Sequence, residues 1–239
     1  MIDLDLHRLE IDEGIAHIVL DRPDHNVLTI EMMREMTALL AGLNADTSIK
    51  CVVLAAQGSS WSAGIEPSDR KPERAPEMVR AYCALLEQMH ALEMPSIAAV
   101  HGPCLGGGME MAIACDMIVA STAAVFGLPA VERGLFSPYA AVRLPHLVGP
   151  SRAVEICTTG KRYTAEEVHR MGLTSALLAV DDFEAGLAEL VRKIQQSQPQ
   201  ALRLNKRAVT RHLGMDIHQA IRGAGDLLLD QMHLFNKKI

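Results

Sequence analysis

The stretch His101-Gly102-Pro103-Cys104-Leu105-Gly106-Gly107-Gly108-Met109-Glu110-Met111-Ala112-Ile113-Ala114-Cys115-Asp116 decides how the rest of the chain is read. The apolar run before it, Ser96 to Val100, predicts a buried strand, and the small residues after the glycines predict a helix. Glycine lets the backbone turn sharply and lets another group approach its N–H, so Gly106, Gly107 and Gly108 predict a strand-to-helix corner pressed against a second segment. The first amides of a helix have no intrahelical partner and lie at the positive end of its dipole, so an oxygen carrying negative charge is favoured there. Glu110 falls in the first turn, and a carboxyl beside aligned amides can carry a proton in a partly dry site. Equally, a tight corner followed by a glutamate that complements the dipole would account for the same residues. The stretch is neither a dinucleotide fingerprint nor a P-loop, because the required glycine spacing and the Gly-Lys-Ser/Thr are missing.

Working outward, two strands are predicted at Leu4 to Glu10 and Ile15 to Leu20, joined by a turn at Asp12-Glu13-Gly14. After Arg22-Pro23-Asp24-His25-Asn26, Thr29 opens an amphipathic helix with apolar positions at Met32, Met33, Met36, Leu39, Leu40 and Leu43. Cys51 to Ala56 is a buried strand, followed by Trp61-Ser62-Ala63-Gly64-Ile65-Glu66, a polar loop from Pro67 to Pro76 and a helix from Glu77 to Leu92. The strand-loop-helix unit thus runs twice before the glycine corner, which is an α/β pattern. It leaves two small-residue loops, Ser62-Ala63-Gly64 and Gly106-Gly107-Gly108, at the carboxyl ends of neighbouring strands, where open sheets place ligands. Downstream, strands are predicted at Met117 to Ala120 and Val125 to Gly127, and an irregular loop at Leu128 to Pro138. Helices follow from Tyr139 to Val148, from a Ser151 cap through Thr158, and from Thr164, whose Glu167 completes a capping box. From 181 to 239 the pattern is helical, an appendage to a core of residues 1–180. The basic run Lys206, Arg207, Arg211 and His212 reads as a solvated helix face.

Composition narrows the function classes. With 239 residues, 49% hydrophobic and 22% charged, the chain is a folded protein able to bury a sizeable core. A net charge of −6 argues against a nucleic-acid surface, and 3% aromatic content leaves few rings for stacking bases. No apolar run approaches the roughly 20 residues needed to span a bilayer, and the acidic start is not a targeting peptide, so no membrane partner and a cytoplasmic location are expected. The five cysteines form no C-x-x-C pair, so no metal site is expected.

Arg22-Pro23 through Asn26-Val27-Leu28, the Ser62-Ala63-Gly64 loop, the corner from Leu105 to Glu110, Ala114-Cys115-Asp116 and Phe126-Gly127-Leu128-Pro129 together resemble the crotonase family, the enoyl-CoA hydratase/isomerase superfamily. The similarity runs from the first strand to about Gly172. It implies a spiral of ββα units with a helical C-terminal region for oligomerisation and pocket cover, assembly as a homotrimer or hexamer, and chemistry on acyl-CoA thioesters with no cofactor beyond the coenzyme A of the substrate. By position it implies a backbone oxyanion hole at Ala63 and Gly107, Glu110 as acid/base, and substrate contacts from His25, Val27, Ser62, Gly64, Ile65, Gly106 and Tyr139. Arg70 or Lys71 is a candidate for a phosphate contact. Were the two amides turned toward protein carbonyls, the cradle for an enolate would be missing.

The pattern departs from the family at one decisive place. Hydratases of this family resemble one another in a second glutamate within Phe-Gly-x-Pro-Glu, and that position here is Ala130, a wall of the pocket that cannot carry a proton. Glu132 lies two residues on, displaced roughly 6 to 7 Å if the segment is extended, and is the candidate replacement. Otherwise Glu110 works alone. The Pro-Gly-x-Gly that follows in the family is Ser137-Pro138-Tyr139-Ala140 here, and Pro138 has no N–H. Within the superfamily, Asn26 to Met33 and Gly134 to Pro138 look most similar to cyclohexadiene-carbonyl-CoA hydratases. Three functions therefore stand open: hydration or dehydration of an unsaturated, alicyclic dienoyl thioester; isomerisation, decarboxylation or thioester hydrolysis with one acid; and a catalytically silent acyl-CoA-binding subunit.

Overall fold

Antiparallel strands joined by the tight turn Glu13-Gly14 begin the chain, which in this computed structural model is described for residues 2–4, 7–211 and 213–236. They are β1 (Ile2–Leu4), β2 (His7–Asp12) and β3 (Ile15–Leu20). Asp12 pairs with Ile15, so the turn has two residues, with φ of 44° at Glu13 and 87° at Gly14. Left-handed backbone at both positions matches the twist of the flanking strands. The second strand therefore runs two residues beyond the predicted end at Glu10.

Helix α1 (Ile30–Ala45) starts where its cap predicts, with Thr29 Oγ1 accepting from Met32 N at 3.1 Å. Strands β4 (Cys51–Ala56) and β5 (Ser96–Val100) have the predicted bounds and flank α2 (Ala75–His90). This helix begins two residues before the expected Glu77, because Pro76 in a first turn forfeits no intrahelical bond. Next come β6 (Pro103–Leu105), α3 (Gly107–Ala114), β7 (Met117–Ser121) and β8 (Val125–Gly127). The predicted irregular loop holds a 3-10 turn, Pro129–Arg133, and α4 (Pro138–Val148) follows. In α5 (Pro150–Thr159) the cap position is Gly149, not Ser151, which lies inside the helix. β9 (Arg162–Thr164), α6 (Ala165–Arg170), with both bonds of its capping box present, and β10 (Ala176–Leu178) lead to α7 (Phe183–Gln195), α8 (Pro199–Arg211) and α9 (Ile217–Asn236).

The main sheet has the order β1-β2-β3-β4-β5-β7-β10 and is parallel from β3 onward. A smaller sheet, β6-β8-β9, takes the segments that leave β5 and β7, so the chain winds as repeated ββα units, the α/β spiral expected of the sequence. One face of the main sheet buries Ile18, Leu54 and Ala98 with Met32, Met36, Leu85 and Met89 of the helices. The other buries Ile15, Val53, Ile97 and Val119 beneath Phe183, Leu187 and Val191 of α7. Helix α8 is fastened by Lys206, whose Nζ lies 2.7 Å from Asp116 Oδ2 and 3.0 Å from Met94 O. Lys206 is thus docked rather than solvated; Arg207 and Arg211 are exposed, and His212 lies outside the described residues. Among the described residues no helix is long and apolar enough to cross a membrane.

Candidate active site

The glycine corner is pressed against a second segment, and that segment is the 62–65 loop. Ser62 N donates to Pro103 O at 3.1 Å and Leu105 N to Ser62 O at 2.9 Å, a parallel bridge that lays the loop along β6 and the start of α3. The approach is so close that a Cβ on Gly108 would stand 2.6 Å from Ser62 O. Gly64 has φ of 101°, and a Cβ there would lie 3.0 Å from Leu105 O and 3.2 Å from Gly107 N. Both positions therefore require glycine.

A third segment is stapled on by Asn26, buried with φ of 49°. Its Nδ2 donates to Gln57 O and Ser60 O, both at 2.8 Å, its Oδ1 accepts from Arg22 N at 2.8 Å, and its carbonyl accepts from Ser62 Oγ at 2.8 Å. Asparagine tolerates the left-handed region and its amide bonds its surroundings, which explains the residue type. This role was not singled out in the sequence, where the signal was only a short polar residue after Arg-Pro.

The staple corrects one expected donor. Ala63 N donates to His25 O at 2.9 Å, so this amide faces a protein carbonyl and is not free. Two residues on, Leu28 N donates to Gly64 O at 2.8 Å and Glu66 N to Leu28 O at 3.0 Å. In such a parallel bridge the intervening residue, Ile65, directs its own N–H away from Leu28. Among the described residues neither Ile65 N nor Gly107 N has a protein acceptor. The two residues are in contact, since a Cβ on Gly107 would lie 2.9 Å from Ile65 Cγ1. Gly107 keeps its expected free amide; Ile65, expected only to line the pocket, presents the second. Ile65 O is held by Arg70 Nη2 at 2.7 Å, which fixes the peptide.

Glu110 is 2% exposed on α3. Its Oε1 accepts from Tyr139 N at 2.8 Å and Ala140 N at 2.9 Å, and its Oε2 accepts from Tyr82 Oη at 2.8 Å. The carboxylate therefore caps α4 from another element: Pro138 at the first helical position has no N–H, Ser137 makes no side-chain cap bond, and the next two amides go to Glu110. Burial raises the Glu110 pKa above the usual carboxylate value, opposed by the bonds from Ala140, Tyr82 and Tyr139. Burial likewise holds Tyr82 well above the ordinary phenol range, so it remains a donor.

Ser62 is buried and Val27 and Gly106 half-buried, while His25 is exposed with Nδ1 3.1 Å from Ser60 Oγ. Tyr139 is half-buried on α4, and its hydroxyl oxygen is buried without a hydrogen bond among the described residues. Ala130 sits in the 3-10 turn. Glu132 is exposed in the same turn and leans on Gly160, where a Cβ would meet its Oε1 at 2.8 Å; it makes no hydrogen bond to Glu110. The helical turn explains this: Glu132 is not on an extended segment that could swing it inward. Among the described residues no three His, Cys, Asp or Glu side chains converge as metal ligands.

A corner of two free amides beside a buried carboxyl can polarise a carbonyl and move a proton next to it. The family model for enoyl-CoA hydratase/isomerase matches residues 10–236. The short-chain-enoyl-CoA hydratase of Clostridium acetobutylicum is 31% identical over 220 residues, covering 89% of this chain and 84% of that protein. The cyclohexa-1,5-dienecarbonyl-CoA hydratase of Thauera aromatica is 30% identical over 200 residues, covering 84% and 77%. Among solved structures, the enoyl-CoA hydratase of Mycobacterium smegmatis superposes with a TM-score of 0.90 at 26% identity, covering 96% of this chain and 91% of that one.

Proposed function

Because the chain belongs to the enoyl-CoA hydratase/isomerase family, we propose that it adds water to, or removes it from, an unsaturated acyl-CoA thioester, with Glu110 as its one acid/base. The observation that carries this is the juxtaposition of the unpartnered Ile65 and Gly107 amides with the buried Glu110 carboxyl. In the proposed reaction the thioester oxygen accepts from both amides, which stabilise the enolate-like charge as it develops, by about 3 kcal/mol per donor. Water attacks the β-carbon, Glu110 takes a proton from that water, and the same carboxyl delivers it to the α-carbon. Oxygen and both protons of the water end on the product, and no cofactor beyond the substrate's coenzyme A is required. Alicyclic dienoyl thioesters are the first substrates to try, since the Thauera relative is named for one.

A second function, double-bond isomerisation, is favoured by a specific observation: Glu110 is hydrogen-bonded to a phenol and two amides and to no second carboxyl. A one-carboxylate shift of a proton between carbons needs no water. Assembly as a trimer or hexamer is part of the same proposal, supported by exposed Ile217, Ile221, Leu228 and Met232, which share one face of α9. The test is incubation with crotonyl-CoA, 3-hexenoyl-CoA and cyclohexa-1,5-diene-1-carbonyl-CoA in oxygen-18 water, read by mass spectrometry. Uptake of one labelled oxygen supports hydration. An isomer of unchanged mass supports the second function, carbon dioxide or free coenzyme A indicates decarboxylation or thioester hydrolysis, and tight binding without turnover indicates a silent subunit.

A further inference from the structure

We infer that Tyr82 is the positioning residue of Glu110: its hydroxyl locks the plane of the carboxyl group and selects Oε2 as the oxygen that exchanges a proton with substrate. This rests on Glu110 being the proton carrier proposed above. The two oxygens of Glu110 are held unequally. Oε1 accepts from both Tyr139 N and Ala140 N, at 2.8 and 2.9 Å, and is anchored to the rigid start of α4. Among the described residues Oε2 accepts only from Tyr82 Oη, at 2.8 Å, and so retains lone-pair capacity for a proton. The anchored oxygen is a pivot, and the phenol on α2 is what stops the carboxyl from turning about it.

Two further observations point the same way. Among the described residues Tyr82 Oη has one other hydrogen-bond partner, Gly107 O at 3.4 Å, and a Cβ on Gly107 would lie 3.3 Å from Oη. The hydroxyl therefore borders both halves of the site, the carboxyl and the residue that offers a free amide. Tyr82 is 3% exposed in the core, where phenylalanine would fill the same volume. Packing alone does not call for the oxygen. The charge of this carboxyl in turn raises Tyr139 on α4 and Cys157 on α5, both already pushed up by burial and therefore uncharged at neutral pH. Arg70, at the C-terminal end of the 3-10 turn Pro67–Arg70, is lowered chiefly by burial and by Arg133, with Glu66 and Tyr82 opposing, and Glu110 is not among the groups that shift it.

A hydrogen bond to the ionised carboxyl favours that form, so its loss raises the pH at which Glu110 protonates. The test is an infrared pH titration of the protonated-carboxyl band in the wild-type protein and in Tyr82→Phe, with Glu110→Gln identifying the band. The titration needs no substrate. In Tyr82→Phe the midpoint should move up by about one pH unit. On the thioester turned over by the wild type, kcat should fall about 10- to 100-fold with its acid limb displaced in the same direction, while KM changes less than about threefold. A Tyr82→Phe protein that titrates like the wild type overturns the inference. If that variant does not fold, 3-fluorotyrosine placed at position 82, a stronger donor of nearly equal size, should move the midpoint down, and an unmoved midpoint is equally fatal. The two levels separate cleanly. Full activity in Glu110→Gln removes the proton-carrier role yet leaves the titration to judge Tyr82; an inactive Glu110→Gln beside an unaltered Tyr82→Phe removes only Tyr82.

Discussion

Replacing Gly108 by alanine should loosen the protein and disable its site together, for a reason that can be sized. The new Cβ would stand 2.6 Å from Ser62 O, 2.7 Å from Ser62 Cβ and 2.8 Å from Ser62 Oγ. Relief to an ordinary contact requires Ser62 and α3 to separate by about 0.8 Å. Ser62 cannot swing aside, because its N, O and Oγ are all engaged, with Pro103 O, Leu105 N and Asn26 O. Overpacking of this kind costs about 1–3 kcal/mol. Alanine's better helix propensity returns at most about 1 kcal/mol. With the full return the net loss is about 0–2 kcal/mol, which should lower the thermal midpoint by up to about 8 °C, at about 2–4 °C per kcal/mol for a chain of this length. Gly42 on α1 is the control: a Cβ there has nothing within 4 Å, so Gly42→Ala collects only the propensity and should raise the midpoint by about 2–4 °C. The same separation carries the Ile65 amide away from Gly107, so kcat/KM in Gly108→Ala should drop about 100-fold. Scanning calorimetry and steady-state kinetics on both variants check this. A Gly108→Ala protein as stable as Gly42→Ala and as active as the wild type would refute the close-contact account of the corner.

Glu110→Gln should remain folded, because the glutamine oxygen can accept from the Tyr139 and Ala140 amides while its NH2 donates to Tyr82. Burial raises the folded pKa of Glu110 above the ordinary glutamate value, so the folded state holds its proton more tightly than the unfolded chain does. The wild type therefore loses stability relative to Glu110→Gln as pH rises from 4.5 through the raised folded value, and the gap stays open at neutral pH. Melting curves from acid to neutral pH measure it, and a gap that closes with rising pH contradicts the burial of this carboxyl. Thr164→Ala removes the bond from Glu167 N at 3.3 Å and should cost about 1 kcal/mol, read by denaturant titration. Lys206→Met breaks the bridge to Asp116 and should raise amide hydrogen exchange in α8 before it affects the main sheet.

Much of the fold was legible because burial writes plain patterns. Cys51 to Ala56 and Ser96 to Val100 are continuous apolar runs, and both strands have the predicted bounds. Thr29 and Thr164 mark helix starts because their hydroxyls satisfy orphan amides. Strands β6, β9 and β10, three residues each, were missed because so short a segment shows no alternation. Ser151 resembled a cap, but Gly149-Pro150 starts α5 two residues earlier, where the proline needs no acceptor. Lys206 looked solvated, since no local signal shows that Asp116, ninety positions before it, comes to meet it.

The candidate site was legible in outline, while Ala63 and Glu132 were misplaced. Gly107 and Glu110 could be read from the corner because both are local to it. The second amide could not. Choosing between Ala63 and Ile65 depends on which side of the loop faces His25 and Leu28, and that is set by the buried Asn26 staple and the Leu28 bridge. Tyr82 was invisible for the same reason: it reaches Glu110 from another helix, 28 positions away.

The central claim is that a thioester oxygen is held by the Ile65 and Gly107 amides. Protein labelled with nitrogen-15 at alanine, glycine and isoleucine, titrated with butyryl-CoA, a saturated thioester that cannot be hydrated, tests it most directly. Large downfield amide-proton shifts are expected at Ile65 and Gly107, with Ala63 remaining bonded to His25 and little changed. A shift at Ala63 in place of Ile65, or saturable binding that moves neither Ile65 nor Gly107, would contradict it.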